Sequence, residues 1–376
     1  MTAGRSICRR SFTSSTSSCS GNRRKAHSRR KPREAIGRHA LVPPFEIIQS
    51  SPLMGSPALK FQISSTVSDE AAAQMKSFYD KDPSLVKGDP PKTQADWDRM
   101  SAEADAGKKP QSDAYAEKIG VSVERDALGG VPIIRIKPPG LAADTGRVLI
   151  YIHGGGYVVY SASAELVLPT LMATELDIEV VSIDYTLAPR SDYETTTDQI
   201  LSVYDAIADS GIKASSIAMS GDSAGGGIAL ASVLKMRDRG LPLPAALYLQ
   251  SPNTDVTDAG DSRMTLVDAD PIIAISAVQE MRSAYVPDGQ FKNPHASPVY
   301  GDYARAFPPT LIQGGTREVL LSDFVRLYQA MAQGGNEAVL DLYEGMCHVF
   351  QARFPEVPET RAAISRAGSF IRSNLR

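Results

Sequence analysis

The sequence predicts an α/β fold in which a mostly parallel sheet of eight strands is covered by helices on both faces. From Val121 onward, short β-branched runs alternate with helical segments, which is the pattern of repeated strand–helix units. No internal repeat or low-complexity segment follows residue 40, which argues against a solenoid or a propeller. A chain of 376 residues with 42% apolar content is long enough for one such domain and a small subdomain beside it.

Residues 1–67 are predicted to be a disordered leader and linker. The first forty residues hold eleven Lys or Arg and a single acid, Glu34, a composition typical of an organelle-targeting leader. We favour the alternative that they are a disordered extension, or lie upstream of a true start at Met54 or Met75. We therefore expect a cytoplasmic protein, with organelle targeting left open.

Charge and hydropathy exclude several kinds of partner. Residues 41–376 hold 29 Lys and Arg against 42 Asp and Glu, so they offer no basic surface for nucleic acid. No run of eighteen apolar residues occurs, so we predict no membrane span. Cys347 is the only cysteine after the leader, which excludes a disulfide and a thiolate metal cluster there. We expect neither a metal nor a cofactor, and a homo-oligomer stays open.

Two short helices are predicted ahead of the sheet. Ser68 is a suitable N-cap for the first helix, in which Met75 recurs at helical spacing with two aromatic residues before Pro83 ends it. The second helix is predicted over Gln94–Ala106. Helices this short do not fold alone, so we expect them to lie against the sheet domain, residues 119–376.

The pattern of the sheet domain places its elements as follows. We predict strands at Val121–Glu124, Ile133–Lys137, Arg147–Ile152, Glu179–Ile183, Ser216–Met219, Ala245–Gln250, Thr310–Gln313 and Ala338–Tyr343. The clearest helices are predicted at Thr195–Ala208, Ser223–Arg239, Ile272–Ala284, Ser322–Gln333 and Pro358–Ser373.

A serine lies where a predicted strand meets a helix. The segment 221–225, Gly-Asp-Ser-Ala-Gly, has the form G-x-S-x-G and follows the strand Ser216–Met219. So sharp a turn requires small residues two positions either side of the serine, and it lifts the hydroxyl to a helix N-terminus, where negative charge is favoured. The alternative is a glycine-rich turn that only packs a helix on a sheet. We favour a nucleophilic Ser223, because the pattern and its context agree.

Three consecutive glycines follow the third predicted strand, in His153-Gly154-Gly155-Gly156. They let the backbone turn its N–H groups toward one point, which suits an oxyanion hole for a tetrahedral acyl intermediate. A phosphate-binding loop is the alternative, but neither G-x-x-x-x-G-K-S/T nor G-x-G-x-x-G occurs here. We expect His153 to fix this loop by hydrogen bonds rather than to act as a base.

His348 is the histidine best placed to be a general base. It lies in the segment 344–350 after the last predicted strand, and a loop at the carboxyl end of that strand can supply a base. A nucleophilic serine needs a neutral imidazole that takes its proton and returns it to the leaving alcohol. His27 and His39 fall in the leader, and His295 is in a turn-like stretch. A lone loop histidine is usually a surface residue, but the chain order serine, acid, histidine supports the catalytic interpretation.

Two carboxylates compete to be the acid of a triad, since Glu318 and Asp323 both follow the predicted strand Thr310–Gln313. Asp323 comes at the start of a helix, where a carboxylate is expected to stabilise exposed N–H groups. Glu318 stands on the turn off the strand, from which it can reach an imidazole on the neighbouring loop. We therefore predict Ser223, Glu318 and His348 as the triad.

Together these residues resemble the bacterial hormone-sensitive-lipase-like esterases, the family IV carboxylesterases of the α/β-hydrolase fold. The shared features are His153 to Gly156, Asp184-Tyr185 with Leu187-Ala188-Pro189, Gly221 to Gly226, Gly315 to Asp323 and Gly345 to Phe350.

The resemblance implies a cap of N-terminal helices, here residues 68–118, over an active site in residues 119–376. It also implies hydrolysis of short-chain or aryl carboxylic esters through an acyl-enzyme, without a cofactor. Carried over by position, the oxyanion donors are the N–H groups of Gly155, Gly156 and Ala224.

Some positions depart from the pattern of that family. Thr186 stands where the family usually has Arg, Arg190 stands where it has Glu, and the segment 191–193 replaces a proline-rich turn. These are scaffold and pocket-wall positions, so the departures concern substrate shape rather than the chemistry. Glu318 stands where Asp is commoner, and both forms of the family occur.

Two alternatives to an esterase stay open. An amide or lactone hydrolase would use the same triad. A non-enzymatic receptor for small molecules also occurs on this fold, but the presence of both Ser223 and His348 argues against it. The expected partner is a small molecule, and under the leading hypothesis it is a carboxylic ester.

Overall fold

One eight-stranded sheet organises the computed structural model, which describes residues 62–79, 91–141 and 145–376. The strands are β1 (Ser122–Leu128), β2 (Val131–Lys137), β3 (Val148–Ile152), β4 (Glu179–Ile183), β5 (Ile217–Asp222), β6 (Ala246–Gln250), β7 (Thr310–Gly315) and β8 (Ala338–Tyr343). Their order across the sheet is β1-β2-β4-β3-β5-β6-β7-β8. β2 runs antiparallel to both of its neighbours, and the other pairs are parallel. The predicted fold class is confirmed.

Ten α-helices lie before, between and after the strands in the described ranges. They are α1 (Asp69–Tyr79), α2 (Gln94–Ile119), α3 (Val167–Leu176), α4 (Tyr193–Asp209), α5 (Ser223–Asp238), α6 (Ser262–Thr265), α7 (Ile275–Tyr285), α8 (Leu321–Gln333), α9 (Phe350–Arg353) and α10 (Pro358–Asn374). No described helix combines the length and the hydropathy needed to cross a membrane.

The central strands are buried on both faces, so most of their residues are apolar. In β3, Val148, Ile150 and Ile152 pack into one apolar cluster, whereas Leu149 and Tyr151 pack into a second cluster on the opposite face. This alternation is the two-residue period of a strand. The sheet is therefore a rigid layer between two cores, and its carboxyl edge is a fixed platform for loops.

The first strand differs from the prediction. It was expected at Val121–Glu124 but spans Ser122–Leu128 and forms an antiparallel hairpin with β2. Its residues are mostly exposed and polar, so no hydrophobic pattern marks its length. Backbone pairing supports it, as does Arg135 of β2, whose guanidinium binds Asp126 and Glu179 at 2.7 Å each.

The second N-terminal helix is also longer than predicted, because α2 continues from Ala106 to Ile119 in spite of Pro110. Packing of its second half offsets the backbone hydrogen bond that Pro110 cannot donate. There the Ser112 hydroxyl donates to Ala164 O at 2.7 Å, and Ala116 enters the core. This extension carries α2 across the loop that follows β3.

Helix α3 was not among the predicted helices. Seven of its ten residues are buried, so its sequence VLPTLMATEL lacks the polar face that reveals a helix by its period. The predicted strands other than the first, and the five predicted helices of the sheet domain, agree with the structure to within three residues at each end.

Helix α1 begins directly after Ser68, whose hydroxyl accepts from the Ala71 N–H at 3.1 Å. Val67, Ala71 and Met75 pack with Met346 and Cys347 of the loop after β8 and with Phe350, the first residue of α9. The N-terminal segment therefore supports the loop that carries His348. The predicted leader, residues 1–40, and the expected helix stop at Pro83 lie outside the described residues.

Candidate active site

Ser223 stands where β5 runs directly into α5, and its φ angle is +51°. A non-glycine residue in this left-handed region is strained, and such strain is characteristic of functional turns. A Cβ at Gly221 would lie 2.5 Å from Gly225 O, and a Cβ at Gly225 would lie 2.2 Å from Ile152 O. Both glycines of the motif are therefore required by the close packing of α5 on the sheet.

His348 comes from the loop after β8. Its Nε2 lies 2.9 Å from Ser223 Oγ, so the serine O–H can donate to the imidazole. Arg353 Nε donates to the backbone carbonyl of His348 at 2.9 Å and holds the loop from behind. The residue is almost fully buried, and it lines the same cavity as Ser223.

Glu318 comes from the turn after β7 and is fully buried. Its Oε2 accepts from His348 Nδ1 at 2.8 Å. Its Oε1 accepts from the Ser251 hydroxyl at 2.8 Å and from the Gly315 N–H. Burial raises the pKa of Glu318, whereas the hydrogen bond from His348 acts in the opposite direction. One carboxylate is thus held at both oxygens, with one oxygen fixed on the imidazole.

Asp323 corrects one expectation, because it does not stabilise exposed N–H groups at the start of a helix. It lies in the first turn of α8 but is fully buried, and its Oδ2 accepts from the Thr254 and Asp255 N–H groups at 3.0 Å each. Arg263 Nη2 lies 3.1 Å from the same oxygen. Burial raises the pKa of Asp323 to about 6. These partners come from a different segment of the chain, so local sequence does not reveal them.

The glycine run forms a loop beside the serine. Gly155 and Gly156 have φ angles of +111° and +60°, and both line the same cavity as Ser223 and His348. The Gly154 N–H donates to Asp222 Oδ1 at 2.9 Å, and the Tyr151 hydroxyl donates to the same oxygen. Asp222 therefore ties the glycine loop to the turn that carries the serine. Ala224, the third expected donor, follows Ser223 in the first turn of α5.

His153 fixes the start of this loop. Its Nδ1 donates to Gly154 O at 2.7 Å, and its ring stacks on Tyr185 with 4.4 Å between the ring centroids. The Tyr185 hydroxyl in turn donates to His153 O at 3.0 Å. His295 lies elsewhere and pairs with Glu194 at 3.0 Å. These contacts agree with a structural role for both histidines.

A cavity of about 440 Å³ opens in front of Ser223. Besides the residues already described, its lining includes Lys108, Gln111, Val159, Tyr160, Glu165, Met281, Val349, Ala352 and Arg353. Helix α2 therefore supplies part of the wall. Lys108 forms an ion pair with the buried Glu165, and its Nζ lies 4.5 Å from the centroid of the Tyr160 ring. Burial raises the pKa of Glu165, and the nearby Lys108 opposes that shift.

The sequence analysis missed three residues of the site. They are Ser251, Lys108, and Asp222 in its role of linking the glycine loop to the turn that carries Ser223. Ser251 could have been noticed, because it directly follows a predicted strand and the carboxyl ends of parallel strands meet at one edge of the sheet. Lys108 gave no such signal, since it follows the predicted end of α2. Within the described residues, no three His, Cys, Asp or Glu side chains are grouped as metal ligands.

A family model described as "alpha/beta hydrolase fold" matches residues 149–352. A putative acetyl-hydrolase, LipR of Mycobacterium tuberculosis, is 34% identical over 68% of this chain and 82% of its own length. An esterase of Acinetobacter venetianus is 32% identical over 64% of this chain and 83% of its own.

Solved structures give the same result. The esterase E25 superposes with a TM-score of 0.77 at 28% identity, covering 84% of this chain and 96% of the other. A hormone-sensitive lipase from a metagenome library superposes with a TM-score of 0.74 at 31% identity, covering 83% of this chain and 100% of the other.

Proposed function

This chain belongs to the bacterial hormone-sensitive-lipase-like esterases of the α/β-hydrolase fold and is a carboxylesterase, and we propose that Ser223, His348 and Glu318 are its catalytic triad. The single observation that carries this proposal is the hydrogen-bonded line from serine to acid. It runs from Ser223 Oγ to His348 Nε2 over 2.9 Å, and from His348 Nδ1 to Glu318 Oε2 over 2.8 Å.

In the acylation step, His348 Nε2 takes the proton of Ser223 as Oγ attacks the carbonyl carbon of the ester. The carbonyl oxygen becomes an oxyanion, which the N–H groups of Gly155, Gly156 and Ala224 stabilise. Glu318 stabilises the imidazolium formed in this step, because its carboxylate is already fixed on Nδ1. Collapse of the intermediate breaks the ester C–O bond, and His348 returns the proton to the leaving alcohol.

In the deacylation step, a water molecule takes the place of the alcohol. His348 accepts a proton from this water, whose oxygen attacks the acyl carbon, and the second tetrahedral intermediate uses the same N–H donors. Its collapse releases the carboxylic acid and returns the proton to Ser223 Oγ. The cycle therefore needs no group beyond this chain, the ester and water.

We further propose that the substrates are short-chain or aryl esters. A cavity of about 440 Å³ is in the lower part of the usual range for ligand sites, and its lining includes the ion pair between Lys108 and Glu165. Met281 lies over Gly156, since a Cβ on that glycine would be 2.4 Å from its sulfur. An acetyl-hydrolase among the relatives supports a small acyl group.

Two measurements test this proposal. Hydrolysis rates for p-nitrophenyl esters of increasing acyl length should be highest for short chains, and Ser223→Ala should reduce them to background. Treatment with an organophosphonate should add one adduct to the peptide that contains Ser223, detected by mass spectrometry. Labelling at another residue, or full activity in Ser223→Ala, would exclude Ser223 as the nucleophile. Faster turnover of p-nitroanilides or lactones than of esters would favour the alternative hydrolase.

A further inference from the structure

Ser251 lies directly after β6 and is fully buried beside the acid. Its hydroxyl donates to Glu318 Oε1 at 2.8 Å and accepts from the Val349 N–H at 3.0 Å. A serine hydroxyl has a single hydrogen, and here that hydrogen is directed at the carboxylate. One hydroxyl therefore joins the acid to the backbone of the residue that follows His348.

The backbone of Ser251 is held in an unusual conformation for this contact. Its φ angle is +44°, in the region that non-glycine residues rarely adopt. Its N–H donates to Gln313 O at 2.7 Å, which extends the pairing of β6 with β7 by one residue. Such strain persists where surrounding contacts over-determine the conformation, and these contacts come from β7, Glu318 and the His348 loop.

We propose that Ser251 is a positioning residue for the reaction, acting through both Glu318 and His348. This inference rests on the proposed triad. The hydroxyl fixes Glu318 Oε1 from one side, so the carboxylate cannot rotate Oε2 away from His348 Nδ1. The same hydroxyl also accepts from the Val349 N–H. It therefore fixes the backbone next to His348 and holds the imidazole in line with Glu318. The distance between the acid and the base is thus set by a third residue, which does not line the cavity in front of Ser223.

Removal of this hydroxyl has two consequences. Glu318 Oε1 keeps its bond from the Gly315 N–H but loses the donor on its other side. The Val349 N–H is left in a buried place without its acceptor. Both changes loosen the line between acid and base, so they lower the rate of the chemical step more than substrate binding.

Ser251→Ala and Ser251→Gly test the proposal together. Both remove the hydroxyl, but glycine adopts a positive φ without strain, so it separates the hydroxyl from backbone strain. We expect kcat for a p-nitrophenyl ester to fall roughly ten- to hundred-fold in both variants, with little change in KM. We also expect the downfield proton NMR resonance of His348 Nδ1–H to shift or broaden in both.

Ser262→Ala is the matched control. Ser262 is also buried, and its hydroxyl likewise makes one bond of each kind: it donates to Val319 O at 2.7 Å and accepts from the Ser322 N–H at 2.8 Å. It therefore removes the same number of hydrogen bonds next to the acid without touching the carboxylate. We expect a comparable loss in melting temperature, with kcat and the His348 resonance close to wild type.

The outcomes separate cleanly. Loss of kcat in both Ser251 variants with an unchanged Ser262→Ala supports a positioning role. Near-wild-type kcat in a folded Ser251→Gly, or an equal loss in Ser262→Ala, would overturn it and leave a structural role. An inactive wild-type enzyme, or an active Ser223→Ala, would instead contradict the proposed triad itself, so the two failures are distinguishable.

Discussion

Glu318 and Asp323 are both fully buried, and their carboxylates bind opposite ends of the same short segment, Ser251–Asp255. Glu318 meets the Ser251 hydroxyl and continues to His348, whereas Asp323 meets the Thr254 and Asp255 N–H groups. Both acids are therefore positioned by the segment Ser251–Asp255, but only Glu318 also binds an imidazole. That difference allows their roles to be separated by mutation.

Glu318→Gln should lower kcat by about three to four orders of magnitude, because an amide no longer stabilises the imidazolium and favours the wrong tautomer. Asp323→Asn should leave kcat close to wild type, because it keeps an oxygen for the two backbone N–H groups and does not contact His348. Steady-state kinetics of the two variants, measured side by side, checks this. The opposite ranking would move the acid to Asp323.

The stability of the protein should depend on pH through Asp323. Its pKa is raised from 3.8 to about 6 in the folded state, so at pH 5 the folded protein binds a proton that the unfolded chain has released. The free energy of unfolding therefore falls as pH rises from 4 to 6, by on the order of 2 kcal/mol from this group. In Asp323→Asn the side chain at this position does not titrate. The difference in the free energy of unfolding between wild type and variant should therefore change over this pH range. Urea unfolding at several pH values measures it, and a pH-independent difference would contradict the prediction.

Gly155→Ala should disable the oxyanion loop. A Cβ there would lie 2.2 Å from Val159 O, at a φ angle of +111° that alanine avoids, so the loop must move. The expected loss is about 2.7–4 kcal/mol of transition-state stabilisation, seen as a lower kcat. Gly211→Ala is a suitable control, since it has a φ of +99° and open space around it, and should lower only the melting temperature. Normal turnover in Gly155→Ala would show that the glycine run is only structural.

Lys108→Met should change the cavity wall while leaving the triad intact. The substitution leaves Glu165 buried without its cation, which should cost about 3–5 kcal/mol of stability and loosen α2 over the loop after β3. We expect altered KM and acyl-length preference at similar kcat. Lys109→Met removes only an exposed pair with Asp113 on the same helix, so it should behave as wild type. Identical acyl preference in both variants would show that Lys108 does not determine which acyl groups the cavity accepts.

Truncation separates the leader from the segment that supports His348. Deletion of residues 1–40 should leave ester turnover nearly unchanged, since they carry no motif and little apolar content. Deletion through Tyr79 also removes Val67, Ala71 and Met75, so the His348 loop loses its apolar cover. The melting temperature and kcat should both be lower in that second variant. Equal behaviour of the two truncations would show that α1 supports nothing in the site.

The parts of the fold that follow from local pattern could be predicted from sequence. Strands β3 to β8 are continuous apolar runs or lie between clear turns, and α4, α5, α8 and α10 show a helical period or end signals. Helix α3 has no such pattern because nearly all of it is buried, and β1 has none because nearly all of it is exposed. A pattern of alternating burial is informative only where an element has one buried and one exposed face.

The candidate site divides in the same way. Ser223 and His348 follow from motifs at strand ends, whose meaning depends on a few neighbouring residues. The position of Ser251 after a strand is visible in the sequence, but its bonds and those of Asp323 span 60 to 98 residues of chain, so local sequence does not reveal these partners. Only the folded topology brings these groups within hydrogen-bonding distance.

The packing of residues 67–75 against residues 346–350 has a consequence for how the chain is made. On the ribosome residues 67–75 emerge well before residues 346–350, so Val67, Ala71 and Met75 are without these apolar partners while the strands of the sheet are synthesised. The partner of Ser68 is synthesised later still, since Glu359 belongs to α10. The turn that carries Ser223 is likewise synthesised well before His348, its proposed base.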